Sequence, residues 1–329
     1  MSPTKDSFAP PRQRFLQAHR ARRRVPRPYF LPHSPPGGKG LIDLHLHCHE
    51  GQHDGLEIAK RAVRAGMRAL LFKSLRPMRH EYPARDVESL VNELSAWCKT
   101  EGLAPITCRA GYIMCLNPRE PDIKMLRKNL DEGVAAVWLP VGNALRSYTV
   151  IGPGPDLTPL DESAARANGG LSIIDDAGHL RPDFQAVIDA IIEYDRILFF
   201  GHRTREELFT AAEYGAKCGL RRMVVDHPFS PFIDLSIDDM ISLKACGVTF
   251  NFTYNEISPV VGVDPQDMVD AVQMVGSDHF TISSDAGDLI FPDSVEAMRL
   301  MAVTLAAFGL PERDVEKVGG ENAARLLSL

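Results

Sequence analysis

The sequence predicts an α/β fold, a (β/α)8 TIM barrel, on three observations. From Gly40 onward, eight short and nearly continuous apolar runs alternate with longer amphipathic stretches. The runs lack strict alternation, as strands covered on both faces of a parallel sheet require. Most are spaced so that one helix fits between neighbours, and eight such units close a barrel. Size agrees: 329 residues, 44% apolar and 24% charged, can bury a full core. No stretch of 18 uncharged apolar residues offers a membrane span.

Residues 1–40 form the first unit, an extended Pro/Arg-rich arm. They hold nine basic residues against one acid, so the arm carries +8 and the remaining 289 residues −14. Pro10, Pro11, Pro26, Pro28, Pro32, Pro35 and Pro36, then Gly37-Gly38, leave little apolar periodicity. Arg22-Arg23-Arg24 lacks the apolar stretch that a twin-arginine export signal needs. The arm is expected to wrap a neighbouring subunit of a homo-oligomer, and the acidic body argues against nucleic acid as partner. Six cysteines without a CxxC pair read as reduced thiols of a cytoplasmic protein.

Residues 41–329 form the barrel. Strands are expected at 41–47, 69–73, 106–111, 134–141, 197–202, 223–227, 248–254 and 280–285. Helix starts lie between them: Thr204-Arg-Glu-Glu207 is a capping box, Ser236-Ile-Asp-Asp239 resembles one, and Asp264 precedes a first-turn Pro265. Residues 142–201 exceed one helical connection, which predicts an insertion after strand 4. It contains a Gly/Pro-rich loop, Ile151-Gly-Pro-Gly-Pro155, and a hairpin over 171–180 turning at Asp176-Ala177-Gly178. At that position it reads as a lid or substrate pocket.

The chemistry centres on Asp43-Leu-His45-Leu-His47. Strand residues two apart share a side, so His45 and His47 face one place, and at the end of a barrel strand that place is the mouth. Two imidazoles are two thirds of a catalytic zinc-type ligand set. Alone they read equally as a polar strand end. His202, His227 and Asp285, expected to close strands 5, 6 and 8, complete a set. Lys73 closes strand 2, either as a surface lysine or as a site residue, since lysines in apolar sites shift pKa and enter chemistry.

Weaker candidates surround them. His49, His53 and Asp54 follow strand 1 and either touch substrate or face solvent. Arg109 and Arg203 either clamp an anionic substrate or form salt bridges. Asn251, Thr253 and Asn255 offer hydrogen bonds from strand 7 or just after it. Cys48 reads as a small packing residue, and His80, His179 and His279 have no evident role. Walker, dinucleotide and Ser–His–Asp signatures are missing.

The strand-1 HxH, a His on each of strands 5 and 6, and an Asp on strand 8 resemble the amidohydrolase superfamily of metal-dependent barrel enzymes. The resemblance covers roughly 41–329, ending in Glu321-Asn-Ala-Ala-Arg-Leu-Leu327, where Ala323 replaces the family's proline. Val137-Trp-Leu-Pro140, Phe200-Gly-His-Arg203 and Val225-Asp-His-Pro228 look like a poorly characterised branch of predicted hydrolases. The resemblance implies one or two divalent metals held by His45, His47, His202, His227 and Asp285, with zinc first and manganese or iron as alternatives. Binuclear members often bridge their metals from strand 4, whose end here, Leu139-Pro140-Val141-Gly142, offers no such ligand. Lys73, as a carbamate, is the expected substitute; as an ammonium it would bind a substrate anion.

The function that follows is a metal-dependent hydrolase of a small-molecule amide, lactam, lactone or similar bond, using a metal-activated water. Asp285 would move the proton, and His227 would bind metal or stabilise the oxyanion. The alternative keeps the site but makes it mononuclear, a decarboxylase or hydratase of cyclic or unsaturated acids. That branch begins Ile-Asp-x-His-x-His, as Ile42–His47 does. A non-catalytic metal-binding scaffold is the third reading, and a full ligand set with an acid–base Asp weighs against it.

Overall fold

In a computed structural model the described residues are 40–48, 54–75, 83–114, 121–154, 156–287 and 290–329. The arm up to residue 39 lies outside them, as do His49, His53 and His80. Eight strands follow in sequence order around one sheet: β1 (Ile42–His47), β2 (Ala69–Ser74), β3 (Thr107–Ile113), β4 (Ala136–Trp138), β5 (Ile197–Phe199), β6 (Met223–Asp226), β7 (Val248–Thr253) and β8 (Phe280–Ser283). Every neighbouring pair from β1–β2 to β7–β8 is parallel. The (β/α)8 barrel that the sequence predicts is the fold.

The seam between β8 and β1 closes differently. One backbone bridge joins Leu46 to Ala286, and His47 N–H donates to Ala286 O at 2.7 Å. Nearer the strand starts, side chains replace the ladder. Asp43 accepts from Ser284 Oγ at 2.5 Å and Ser294 Oγ at 2.6 Å, and Leu44 N–H donates to Ser283 Oγ at 3.2 Å.

The outer helices are α1 (Gly55–Ala65), α2 (Pro83–Glu101), α3 (Ile123–Asp131), α4 (Leu145–Val150), α5 (Glu162–Ala167), α6 (Pro182–Glu193), α7 (Arg205–Cys218), α8 (Ile237–Lys244), α9 (Tyr254–Ile257), α10 (Pro265–Val275), α11 (Ser294–Ala307), α12 (Glu312–Glu316) and α13 (Asn322–Leu327). Both capping boxes form: Thr204 with Glu207 on α7, and Ser236 with Asp239 on α8. Asp264 caps α10 by accepting from Gln266 N–H. Between β4 and α6 lie α4, α5 and a tight turn in which Asp175 N–H donates to His179 O, with a single antiparallel bridge, Ile174 to Leu180. The hairpin is thus one turn deep. Among the described residues no helix is long and apolar enough to cross a membrane.

Two apolar layers result. Outward strand residues such as Leu70, Phe72, Phe250 and Ile282 pack under the helices. Inward residues Ile42, Leu44, Ala69, Leu71, Ala136, Trp138, Ile197, Phe199 and Val224 fill the barrel, together with Ala323, Ala324, Leu326 and Leu327 of α13. Full burial of each large side chain contributes about 1.5–3 kcal/mol.

One expectation is corrected. Strands 4, 5, 6 and 8 stop short, so His202, His227 and Asp285 stand on the turns just beyond β5, β6 and β8. Backbone conformation causes this. Gly201 has φ +66, and a Cβ there would lie 2.7 Å from Leu139 O. His227 (φ 36) and Asp285 (φ 50) are themselves left-handed, a geometry that cannot continue a ladder.

Candidate metal centre at the barrel mouth

His45 and His47 reach the mouth through a β-bulge. Asp43 pairs with Leu70 and Leu46 with Phe72, so β1 carries one extra residue over that interval. Ile42 and Leu44 therefore point into the barrel, His45 follows them inward, and Leu46 turns out to the helix layer. The two histidines share a side as expected, but the alternation below them is broken.

Three ligand atoms converge. His45 Nε2 lies 3.3 Å from His47 Nε2 and 3.0 Å from Asp285 Oδ1, and His47 Nε2 lies 3.6 Å from the same oxygen. The side chains offer their donors within 4.8 Å of one another, as a metal-holding group would. Ligands at about 2.0–2.1 Å from a tetrahedral zinc stand about 3.3 Å apart, so this trio matches one face of that polyhedron. Lys73 Nζ, on β2, comes within 2.9 Å of His45 Nε2 and faces the Trp138 ring at 5.6 Å.

His202 and His227 form a second pair with ring centroids 5.2 Å apart; His227 is 6.2 Å from His45. Ser147 on α4 donates to Val141 O at 2.6 Å, so at 2.7 Å its Oγ accepts from His202 Nδ1–H. That leaves the His202 Nε2 lone pair free to bind. Phe232 stacks on His202 at 4.1 Å. His227 Nδ1 meets Ser230 Oγ at 2.9 Å.

Electrostatics separate the two groups. Burial opposes charge on His45, but Asp226 and Asp285 outweigh it and raise its pKa to about 9. Asp285, despite burial, is held well below the usual carboxylate range by His45 and His227. Burial lowers His227 to about 4, and with its neighbours holds His202 well below its ordinary value. The pair is neutral at pH 7.

The remaining candidates are placed differently. Arg203 is fully buried and donates to His202 O at 2.6 Å and Pro140 O at 2.7 Å, tying the turn after β5 to the end of β4. Arg109 lies mid-strand opposite Leu71, with its side chain exposed and away from the strand end at Ile113. Asn255 is on α9 beyond β7, its Oδ1 buried without a hydrogen-bond partner among the described residues. Cys48 is buried, as a packing residue should be, and His179 is exposed. His279 Nδ1 lies 3.4 Å from Val248 O, a long contact, away from the mouth residues.

Several residues escaped the sequence reading. Asp226, immediately before His227, is the inward residue at the end of β6 and contacts His45 Nδ1 at 3.1 Å. Trp138 fills the inward end of β4, beside Gly111, where a Cβ would meet its ring at 2.3 Å. Glu256 is buried between Phe229 N–H and Thr253 N–H, and burial raises its pKa to about 8. Only the Asp226–His227 adjacency was a usable signal: two polar residues ending one apolar run cannot both face outward.

The same architecture occurs in solved structures of low sequence identity. An amidohydrolase from Pseudomonas aeruginosa superposes with a TM-score of 0.57 at 14% identity, over 89% of this chain and 97% of that one. The probable dipeptidase PvdM from the same organism gives 0.56 at 14%, over 97% and 98%. A TatD homologue from Escherichia coli K12 gives 0.52 at 15%, over 88% and 98%. No curated protein matches the sequence significantly. At these identities the structures share the fold. The family model DUF6282, described as a family of unknown function, matches residues 40–251, and this protein belongs to that family.

Proposed function

We propose that the chain is a metal-dependent hydrolase of the amidohydrolase superfamily, acting on a small-molecule amide, lactam, lactone or similar bond. The observation that carries this is the convergence of His45, His47 and Asp285 at the mouth with the spacing of ligands around one cation. Fold likeness to an amidohydrolase and a probable dipeptidase supports the bond class. Nitrogen and oxygen donors suit zinc first, with manganese or iron as alternatives.

A cation held there would act as a Lewis acid and lower the pKa of a water from about 15.7 towards 7. Asp285 turns Oδ1 to both histidines, leaving its second oxygen to take a proton and pass it to the leaving group. Ser230 sets the part of His227. If Ser230 donates to Nδ1, Nε2 carries a proton and can bond a carbonyl oxygen; if it accepts, Nε2 is a ligand. Lys73 is either an ammonium that binds a substrate carboxylate or oxyanion, or a carbamate that bridges two metals. In this reading Asn255 and His49 contact substrate, and the basic arm joins subunits of a cytoplasmic homo-oligomer.

A second reading, a mononuclear decarboxylase or hydratase, is favoured by one observation. The inward end of β4 is Trp138, so no bridging ligand comes from that strand.

The test is metal content together with turnover of a panel of amides, lactones and unsaturated acids. Chelation should abolish activity, and His45→Ala or Asp285→Asn should remove metal, activity or both. Full activity in rigorously demetallated protein would sink both enzymatic readings. One metal per chain with an unmodified lysine would move the reading to the lyase.

A further inference from the structure

We propose that Asp226, backed by Asn251, is a positioning residue that dictates which nitrogen of His45 faces the ligand cluster. The inference rests on the metal reading above.

The two ring nitrogens of His45 face opposite ways. Nε2 looks towards His47, Asp285 and Lys73, whereas Nδ1 lies 3.1 Å from Asp226 Oδ1, in a contact bent from an ideal hydrogen bond. An ionised carboxylate only accepts, so Nδ1 keeps its proton against Asp226, and the proton a metal displaces is the one on Nε2.

Asp226 cannot turn away from this role. Its Oδ2 accepts from the Trp138 indole N–H at 2.8 Å, and its Oδ1 from Asn251 Nδ2 at 2.7 Å. Flipping the Asn251 amide would set oxygen against oxygen, and Asn251 Oδ1 already accepts from Thr281 and Ser283 hydroxyls, both at 2.8 Å. Ser283 in turn accepts from Leu44 N–H, the residue before His45. The chain of bonds leaves β1 at Leu44, crosses β8, β7 and β6, and returns to β1 at the His45 ring. Each of these groups is buried, with Asp226 1% exposed and His45 and Asn251 0%. Water therefore cannot replace a missing partner, and a lost acceptor is felt at His45.

The test uses Asp226→Asn. An amide there has one oxygen and one NH2, so either the NH2 faces Trp138 N–H or it faces His45 and Asn251. In the second arrangement His45 must present an acceptor at Nδ1 and move its proton to Nε2. Zn2+ affinity, read by chelator competition on the full chain, should fall about 10–100-fold, as loss of an outer-shell partner does. In protein with 15N-labelled histidine, the His45 proton should leave Nδ1. The double variant Asp226→Asn/Trp138→Phe removes the indole donor, lets the amide oxygen face His45, and should recover most of the affinity. A merely structural role predicts no such rescue, because Trp138→Phe only removes more packing.

Equal Zn2+ affinity in wild type and Asp226→Asn overturns the proposal. So does an affinity loss that the double variant deepens in step with its melting temperature. If the wild type binds no Zn2+, the metal reading is what fails, and the 15N spectrum still decides. A proton on Nδ1 that Asp226→Asn displaces supports positioning, and an unchanged spectrum overturns it.

Discussion

The inside of this barrel has two unlike halves. On the β1–β5 side the inward residues below the mouth are mostly apolar: Ile42, Leu44, Leu71, Ala136, Trp138, Ile197 and Phe199, with His45 and Lys73 above them. On the β6–β8 side, apart from Val224 low in β6, they are Asp226, Asn251, Thr253, Thr281 and Ser283, all buried. The same inward positions do different work. The apolar half gains stability from removing surface from water, which is non-directional and tolerates imperfect angles. The polar half gains little net stability per hydrogen bond, about 0.5–1.5 kcal/mol, but fixes direction. Side chains that must aim at a site hang from the directional half or meet it: Asp226 touches His45, and Asp285 follows β8.

The comparison breaks first on stability. Phe199→Ala, in the apolar half and fully buried, should cost about 3–5 kcal/mol of unfolding free energy in denaturant titration. Surviving folded protein should keep its zinc affinity, and a parallel loss of affinity would show that the halves are not separable.

The next largest effect lies at the cluster. His47→Ala should weaken zinc binding by more than the about 10–100-fold expected for an outer-shell partner. Its effect on stability should stay below that of Phe199→Ala, because His47 stands at the mouth and is 18% exposed, whereas Phe199 is fully buried. Unfolding of this variant, or unchanged zinc affinity, would remove His47 from the ligand set.

Acidity provides a third test, on metal-free protein. His45 is raised from 6.5 to about 9. Its contribution to stability is therefore complete below pH 6.5 and lost as pH climbs through 9. Asp226, lowered to about 2 chiefly by His45 against the effect of burial, stays ionised across that window, and His227, lowered to about 4 by burial, stays neutral. Denaturation midpoints should decline between pH 6.5 and 9, and saturating zinc should flatten the slope. A flat metal-free profile would count against the Asp226–His45–Asp285 arrangement.

The smallest effect distinguishes the trio of His45, His47 and Asp285 from the pair of His202 and His227. Ser147→Ala removes the acceptor for His202 Nδ1–H and should cost about 1 kcal/mol. Affinity for a first zinc should stay within a few-fold, whereas any second, weaker zinc should be lost. If the first zinc goes with it, His202 belongs to the primary site.

Much of this was legible before the fold was known. The eight strands announced themselves as apolar runs, and Thr204 and Glu207 as a helix start, because burial and capping act on neighbours in sequence. The pair His45 and His47 was legible for the same reason. Asp226 was given no role: His227 was expected to close strand 6, whereas Val224 and Asp226 share the inward side of β6 and His227 follows on a left-handed turn. Arg203 read equally as an anion clamp or a salt-bridge residue, and its guanidinium donates to two carbonyl oxygens, those of His202 and Pro140.

Sequence alone determined the class of fold and the kinds of atoms available at its mouth, since both follow from periodicity and residue chemistry over a few neighbouring positions. Tertiary structure decided which atoms meet and how they are aimed. The β1 bulge, the left-handed turns at Gly201, His227 and Asp285, and the bonds from Leu44 through Ser283, Asn251 and Asp226 to His45 join residues as far apart as 239 positions. Such contacts depend on closing the sheet, because hydrogen-bond direction is a property of the partner as much as of the residue.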